Sequence, residues 1–217
     1  MLSNAKDLWA QLGAVIHEPH DYQTLVIDSV TALERLFVAE VLEQDPKAKS
    51  INQALGGYGA GVAAVAAMHA RVRKGAGLAN EKRGMHVVFV AHADVETMRL
   101  PDADDYMRYS LRLPPKSMPP YVDDVDVVGF LRLVTFTKGD DGERKKAIST
   151  GDRELVCHAV ASNISKNRYG LTEALPFAAG ENPLFAVIPA LAGKHMKQAT
   201  AKANSMTPAD GSDGSAQ

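Results

Sequence analysis

The chain has 217 residues, of which 46% are hydrophobic and 23% charged, with a formal net charge of −2. These values exclude a wholly disordered or collagen-like chain and a uniformly basic nucleic-acid binder, so any contact with nucleic acid must come from a local patch. A single cysteine excludes an internal disulfide. The sequence has no signal-peptide pattern and no apolar run near the ~20 residues that cross a bilayer. We therefore expect a cytoplasmic protein without a membrane partner.

The first half of the chain alternates helical and strand patterns. Apolar residues at helical spacing predict helices over residues 4–17, where Asn4 can cap the first turn, and over residues 31–44. Residues 24–27 are apolar on both faces, which predicts a buried parallel strand covered above and below. A glycine-rich loop, an alanine-rich helix and a second buried strand are predicted over residues 47–61, 62–74 and 85–91; Gly75 and Gly77 break the helix, although it can resume up to Arg83.

The second half has weaker patterns. Residues 94–120 show no clear periodicity and are predicted to form a long irregular loop. Strands are predicted over residues 125–136, 144–150 and 154–164, with a hairpin turn at 138–142, a short helix at 183–192 and a disordered tail at 204–217. The order of elements predicts an α/β fold whose sheet gains antiparallel strands late in the chain.

Two predicted strands end in polar residues. Asp28 and Ser29 follow the first strand, and His92 follows the second. Because parallel strands place their carboxyl ends at one sheet edge, where α/β folds bind ligands, these residues are candidates for a shared crevice. A helix N-cap explains Asp28 and Ser29 equally well, and a strand-end histidine with satisfied hydrogen bonds explains His92.

A third candidate is the segment NISKNRYG at residues 163–170. Lys166 and Arg168, separated by one residue at a strand end, have the spacing to hold a phosphate from one side. A solvated turn is the alternative interpretation of the same cluster.

Together these motifs resemble RecA-like ATPases. The segment DYQTLVIDSVTAL at residues 21–33 resembles their Walker B strand and following helix, and is most similar to that of phage-encoded nucleotide-binding proteins with a RecA core. The segment GMHVVFVAH at residues 84–92 resembles the next core strand. The resemblance covers residues 5–175 and rests on the order and spacing of the motifs.

The resemblance implies a role for each candidate residue. Asp28 would hold Mg²⁺ through water beside bound ATP, and Ser29 would follow it in a strained turn with an unusual peptide bond. His92 would relay the nucleotide state to residues 94–120. Lys166 and Arg168 would reach the ATP of a neighbouring subunit, as an arginine finger does, which implies a homo-oligomer in the form of a ring or filament.

The resemblance also implies that residues 94–120 contact single-stranded DNA. Arginine and lysine side chains would bind phosphates, and Tyr106 or Tyr109 would stack on bases. The cations proposed for this contact are Arg99, Arg108, Arg112 and Lys116.

One element of the family pattern is missing from the 217 residues. No Gly-x-x-x-x-Gly-Lys-[Ser/Thr] run is present; the only Gly-Lys pair is Gly193–Lys194, followed by His195. The expected architecture is therefore a RecA-like core with a mostly parallel sheet, lacking the first P-loop βα unit. It divides into a partial core at 1–175, an extension at 176–203 and the tail at 204–217. We expect this polypeptide alone neither to bind ATP tightly nor to hydrolyse it.

Two functions follow from the resemblance. The first is a phage-encoded RecA-like ATP-binding protein, or an N-terminally truncated form of one, in DNA recombination, single-strand annealing or replication within a bacterial host. The alternative is a non-catalytic scaffold that keeps the fold without nucleotide hydrolysis. A third possibility is an unrelated enzyme built on Asp28, His86 and His92, but the two histidines lie ~20 Å apart along one extended strand, too far to share a metal.

Overall fold

The computed structural model describes residues 2, 4–138, 146–178, 180–188 and 191. The described residues divide into two compact units, of which the first lies within residues 1–128 and 160–164 and the second within residues 129–159 and 165–217.

The first unit contains four helices and five strands within the described ranges, together with two 3₁₀ turns. In chain order they are α1 (Ala5–His17), β1 (Thr24–Asp28), α2 (Val30–Gln44), a 3₁₀ turn (Ala54–Gly56), α3 (Ala60–Arg83), β2 (His86–Val90), β3 (Ala93–Leu100), β4 (Ala103–Leu111), a 3₁₀ turn (Pro115–Ser117), α4 (Pro119–Val122) and β5 (Val127–Val128). The predictions of α1, β1, α2 and β2 are confirmed to within two residues at each end.

Helices α1 and α2 form where the apolar periodicity predicts them. Asn4 caps α1, and its Oδ1 accepts a hydrogen bond from the Asp7 N–H at 2.9 Å. The buried stripe of α1 packs on that of α2, and the Trp9 ring stacks on Phe37 with the ring centroids 5.8 Å apart. The guanidinium of Arg71, on α3, lies 4.1 Å from the Trp9 ring centroid, which extends the contact to the third helix.

Strands β1 and β2 pair in parallel, as predicted, but only one face of the pair is covered. Leu25, Ile27 and Phe89 pack against the helical core. On the opposite face, Val26 is 56% exposed and Val88, its partner in the register, is 45% exposed. The expectation of a strand buried on both faces is therefore wrong, because the helices of this unit pack against one side only.

Helix α3 runs unbroken from Ala60 to Arg83, so the prediction of a break at Gly75 and Gly77 is wrong. Each glycine costs a helix roughly 1 kcal/mol relative to alanine. The burial of Ala76 and Ala79 on the same turns offsets that cost. The helix ends where Gly84 adopts a left-handed conformation with φ 62°, and its N–H donates to the Asn80 carbonyl.

Residues 94–120 are not an irregular loop, so that prediction is also wrong. Most of the segment forms an antiparallel hairpin, in which β3 pairs with β4 in a register that sets Val95 opposite Tyr109 and Glu96 opposite Arg108. The remainder forms a 3₁₀ turn and α4. Val95, Met107 and Tyr109 stay exposed on one face, and the other face mixes the Glu96–Arg108 pair with Met98 and Tyr106. No regular alternation of apolar and polar residues therefore marks the strands in the sequence.

The second unit is built on an antiparallel sheet in the order β6–β7–β9. Its described elements are β6 (Phe130–Lys138), β7 (Lys146–Val156), β8 (Lys166–Asn167), β9 (Leu175–Pro176) and α5 (Leu184–Val187). The antiparallel strands and the short helix predicted for the second half of the chain are confirmed as types of element. The predicted division into strands 144–150 and 154–164 is wrong, because β7 continues through Gly151, which has φ 88°, at an irregularity in the register with β6.

The mixed α/β character of the chain is confirmed. Parallel pairing joins β1 to β2, whereas β3–β4 and β6–β7–β9 pair antiparallel. The turn predicted at 138–142, apart from Lys138, and the tail predicted at 204–217 lie outside the described residues. No helix in the described ranges is both long and apolar enough to cross a membrane.

Candidate functional site

The carboxyl ends of β1 and β2 form one edge of the parallel pair. Asp28 is the last residue of β1, lies opposite Val90 and is exposed. The peptide bond between Asp28 and Ser29 is cis, which confirms the expected unusual bond. Ser29 is the N-cap of α2, and its Oγ accepts a hydrogen bond from the Ala32 N–H at 3.2 Å. The N-cap interpretation therefore holds for Ser29, while Asp28 presents its carboxylate at the strand end.

His92 lies at the same edge, in the short connection between β2 and β3. Its backbone N–H donates to Thr31 Oγ1 at 3.0 Å, which ties it to the first turn of α2. Its carbonyl accepts from the Arg112 N–H at 2.8 Å, just beyond the end of β4. The imidazole is exposed. The backbone of His92 thus links the helix that follows Asp28 to the base of the β3–β4 hairpin, a connection that depends on Thr31, which the sequence analysis did not identify.

The edge suits a magnesium ion in one respect only. Mg²⁺ at phosphate-binding sites is held by one or two carboxylates, water and the phosphates themselves, and the exposed Asp28 carboxylate fits that part. Among the described residues no group of three or more histidine, cysteine, aspartate or glutamate side chains gathers to hold a metal. The phosphate cradle of a P-loop is not present in the sequence.

The cations predicted to contact DNA lie on or beside the hairpin, and all three arginines are close to carboxylates. Arg108 Nε lies 2.7 Å from Glu96 Oε1, and both side chains are about one-third exposed. The pairs Arg99–Asp105 and Arg112–Asp94 are looser, each at 3.6 Å, and more exposed. Lys116 lies on the second 3₁₀ turn and is exposed. The hairpin therefore carries cations whose charge is largely balanced within the hairpin itself.

The two tyrosines proposed for base stacking face opposite ways. Tyr109 shares an exposed face with Met107 and Val95, whereas Tyr106 is half-buried opposite Met98 on the other face. Only Tyr109 presents a broadly open ring.

Lys166 and Arg168 lie in the second unit, at β8 and the turn that follows. Lys166 is half-buried and Arg168 is exposed. Asn167, between them, organises the turn: its Nδ2 donates to the carbonyls of Cys157 and Leu171, and its Oδ1 accepts from the Tyr169 and Leu171 N–H groups. In the sequence Asn167 is marked only as part of the motif, but its four hydrogen bonds fix the backbone that carries Lys166 and Arg168.

A buried polar triad lies beneath β2 and was missed by the sequence analysis. His69 on α3 is fully buried, with its Nδ1 2.7 Å from Tyr121 Oη and its Nε2 2.9 Å from Glu34 Oε2. The Phe89 ring of β2 packs edge-on against Tyr121 at 5.0 Å. Burial, followed by the charge of Glu34, raises the pKa of the Tyr121 phenol above its ordinary value of 10.0.

The triad fixes the helices behind the candidate edge. It joins α2, α3 and α4, and Glu34 stands one turn beyond Thr31 on α2. The contact with His69 leaves the Glu34 side chain only 18% exposed. A histidine within an alanine-rich helix was the only sequence signal for this contact, and it does not identify the partners.

Comparison with known proteins gives one match. A sequence model of a family described as AAA domain matches residues 2–169. No curated protein matches the chain, and no solved structure matches it.

Proposed function

Because this chain belongs to the AAA domain family, a P-loop NTPase-like family, we propose that it is a phage-encoded, RecA-like ATP-binding protein that acts on single-stranded DNA. Its role is in recombination, strand annealing or replication. In this proposal the phosphate cradle of the ATP site lies outside these 217 residues, which contain no P-loop. The family assignment by itself supports nucleotide binding and an ATPase-like function. The proposal adds the single-stranded DNA partner and the role.

The observation that carries the proposal is the double attachment of His92. Its backbone is bonded to Thr31 at the start of α2 and to Arg112 at the base of the hairpin. These two bonds connect the helix that follows Asp28 to the segment proposed to contact DNA. This gives nucleotide state a physical route to the hairpin.

In the proposed function each candidate residue has one role. Asp28 holds Mg²⁺ through water, and the ion neutralises phosphate charge when ATP is bound. Lys166 and Arg168 add positive charge to the nucleotide of a neighbouring subunit in a homo-oligomer. On the hairpin, Arg99, Arg108 and Arg112, with Lys116 beside it, exchange carboxylate partners for DNA phosphates.

Binding of a fluorescent single-stranded oligonucleotide, followed by anisotropy at increasing salt, tests the proposal. We expect the logarithm of the binding constant to fall linearly with the logarithm of salt concentration, and Arg108→Ala to reduce the slope by about one contact. Arg132→Ala is the matched control, because Arg132 in the second unit pairs with Glu154 at 2.6 Å much as Arg108 pairs with Glu96. Absence of binding at low salt would contradict the proposal.

The pairing of the hairpin arginines with carboxylates favours a second candidate function, a non-catalytic scaffold that works through assembly contacts. A scaffold needs no free cations on this surface, and none of its contacts depends on Asp28. Asp28→Ala, examined by light scattering and partner capture, distinguishes the two: a scaffold keeps its mass and its partners, whereas an ATP-dependent assembly loses them.

A further inference from the structure

An open pocket lies at the base of the β3–β4 hairpin, and we call it the hairpin pocket. Its volume of about 370 Å³ is within the range of pockets that hold small organic groups. Most of its lining is apolar and a few polar side chains stand among the apolar ones, which is the usual composition of such sites. The apolar residues of the lining are Val95, Leu111, Leu113, Pro114, Pro115 and Met118.

The lining holds one hydroxyl group with a weak partner. Ser110 is 7% exposed, and its Oγ donates to the Met118 sulfur at 3.5 Å. A thioether is a weak hydrogen-bond acceptor, whereas a hydroxyl both donates and accepts. Ser110 can therefore exchange this bond for a stronger one to the polar edge of a group that enters the pocket.

Positive charge predominates around the pocket. Among residues 93–96 and 108–118, the cations are Arg108, Arg112 and Lys116, and the carboxylates are Asp94 and Glu96. Both carboxylates line the pocket, and each is paired with one of the two arginines. Since the charges of these two pairs offset each other, Lys116 leaves this end of the hairpin with an excess of positive charge.

The tip of the hairpin has the opposite balance. Asp102, Asp104 and Asp105 lie there with one arginine, Arg99, whose Nε is 3.6 Å from Asp105 Oδ2. A chain of phosphates is therefore attracted more strongly to the base of the hairpin, where the pocket is, than to its tip.

An aromatic ring and a cation share the pocket's face of the hairpin. Alternate residues of a strand point to the same face, so Tyr106, Arg108 and Ser110 of β4 lie on one side. A nucleic-acid strand that follows this side from the tip to the base passes a ring, then a cation, and then reaches the pocket. Rings and cations in alternation are the features with which proteins hold single strands.

We propose that the hairpin pocket holds an unpaired base of a single DNA strand whose phosphates bind Arg108, Arg112 and Lys116. The inference rests on the proposed function and names the part of the strand that the hairpin recognises. The base packs on the apolar lining, and the Ser110 hydroxyl bonds to its polar edge without selecting one base, because it donates as well as accepts. A duplex keeps its bases paired and stacked, so it offers none to the pocket.

Two strands of equal length and equal charge test the role of the base. One is oligo-dT, and the other is an abasic strand with the same phosphates, each followed by fluorescence anisotropy with the full chain. We expect oligo-dT to bind about tenfold more tightly, since the packing of one base contributes about that factor. Equal affinity for the two strands overturns the pocket and leaves the DNA partner standing. Absence of binding to either strand at low salt overturns the proposed function itself.

Blocking the pocket tests its location. Pro115 is an exposed residue of the lining, and Pro101 is an exposed proline at the hairpin tip, so Pro115→Cys and Pro101→Cys form a matched pair. Each is alkylated with the neutral, ring-bearing reagent N-benzylmaleimide, from which Cys157 is shielded by burial. We expect alkylated Pro115→Cys to bind the abasic strand as before but to lose its preference for oligo-dT, whereas alkylated Pro101→Cys keeps it. If the two alkylated variants behave alike, the pocket is not the site.

A free nucleotide carries the same kind of base, and competition separates it from the strand. Thymidine monophosphate, at the nucleotide concentration of the oligo-dT, should not displace the strand, because it has one phosphate to offer the three cations. Displacement at that concentration would assign the pocket to free nucleotides and contradict its assignment to DNA.

Discussion

At the scale of single residues, a fully buried polar group, His69, lies behind the candidate edge and not on it. His69 has both ring nitrogens within hydrogen-bond distance of a partner, Tyr121 on one side and Glu34 on the other. In a fully buried position, losing one partner leaves a nitrogen unsatisfied, which costs more than an ordinary hydrogen bond contributes. The triad therefore behaves as a unit that locks α2, α3 and α4 together.

Tyr121→Phe should destabilise the protein by about 1–3 kcal/mol, because it leaves His69 Nδ1 without its partner while conserving the ring. Urea unfolding at neutral pH measures the change. Tyr22→Phe removes a hydroxyl from an exposed ring and should change the unfolding free energy by no more than about 0.5 kcal/mol. Equal effects of the two variants would argue against the triad.

The raised pKa of Tyr121 also gives an alkaline signature. In the unfolded chain this phenol ionises near its ordinary pKa of 10.0, whereas in the folded protein it keeps its proton to higher pH. Its stabilising contribution is therefore complete below pH 10.0 and is lost as the pH rises toward the folded-state pKa. The advantage of the wild type over Tyr121→Phe in urea should shrink above pH 10.0; an advantage that grows there would contradict the assignment.

At the scale of elements, close approach of the backbone explains which glycines the fold requires. Gly61 sits in the first turn of α3 against the Ile51 carbonyl, whereas a β-carbon on Gly13, in α1, meets nothing within 4 Å. Alanine normally favours a helix over glycine by about 1 kcal/mol. The two positions should therefore respond to the same substitution in opposite directions.

Gly61→Ala should lower the thermal unfolding free energy by about 1–3 kcal/mol, as overpacking does, and Gly13→Ala should raise it by up to about 1 kcal/mol. Thermal denaturation followed by circular dichroism measures both. If Gly61→Ala is neutral or stabilising, the loop before α3 is not packed against Ile51 as described.

Elements with a strong contrast between apolar and polar faces could be predicted from the sequence, and the others could not. Helix α2 showed Leu33, Phe37 and Val41 at helical spacing, and strands β1 and β2 were short apolar runs ended by polar residues. The hairpin was not predicted because Val95, Met107 and Tyr109 remain exposed on one face, while the other mixes an ion pair with Met98 and Tyr106. Long-range partners such as Tyr121 for His69 leave no local pattern at all.

At the scale of the whole molecule, the chain belongs to the AAA domain family, yet its 217 residues lack the P-loop that binds nucleotide phosphates. Asp28 and His92 were identified from the sequence because strand ends are predictable positions, and the structure places both at one edge. Lys166 and Arg168 belong to the second unit, so their role in a neighbouring subunit's site stays a prediction. No residue of the 217 supplies the P-loop lysine that reaches the β- and γ-phosphates.

The most direct test of this account is calorimetric titration of the 217-residue chain with ATP and magnesium. The proposed function puts Asp28 at the magnesium-facing edge of an ATP site and leaves these 217 residues without a phosphate cradle of their own. We expect no stoichiometric binding at micromolar protein, with wild type and Asp28→Asn giving the same flat isotherm. A one-to-one isotherm in the wild type that Asp28→Asn abolishes would contradict the account, because it would show that other residues of this chain cradle the phosphates.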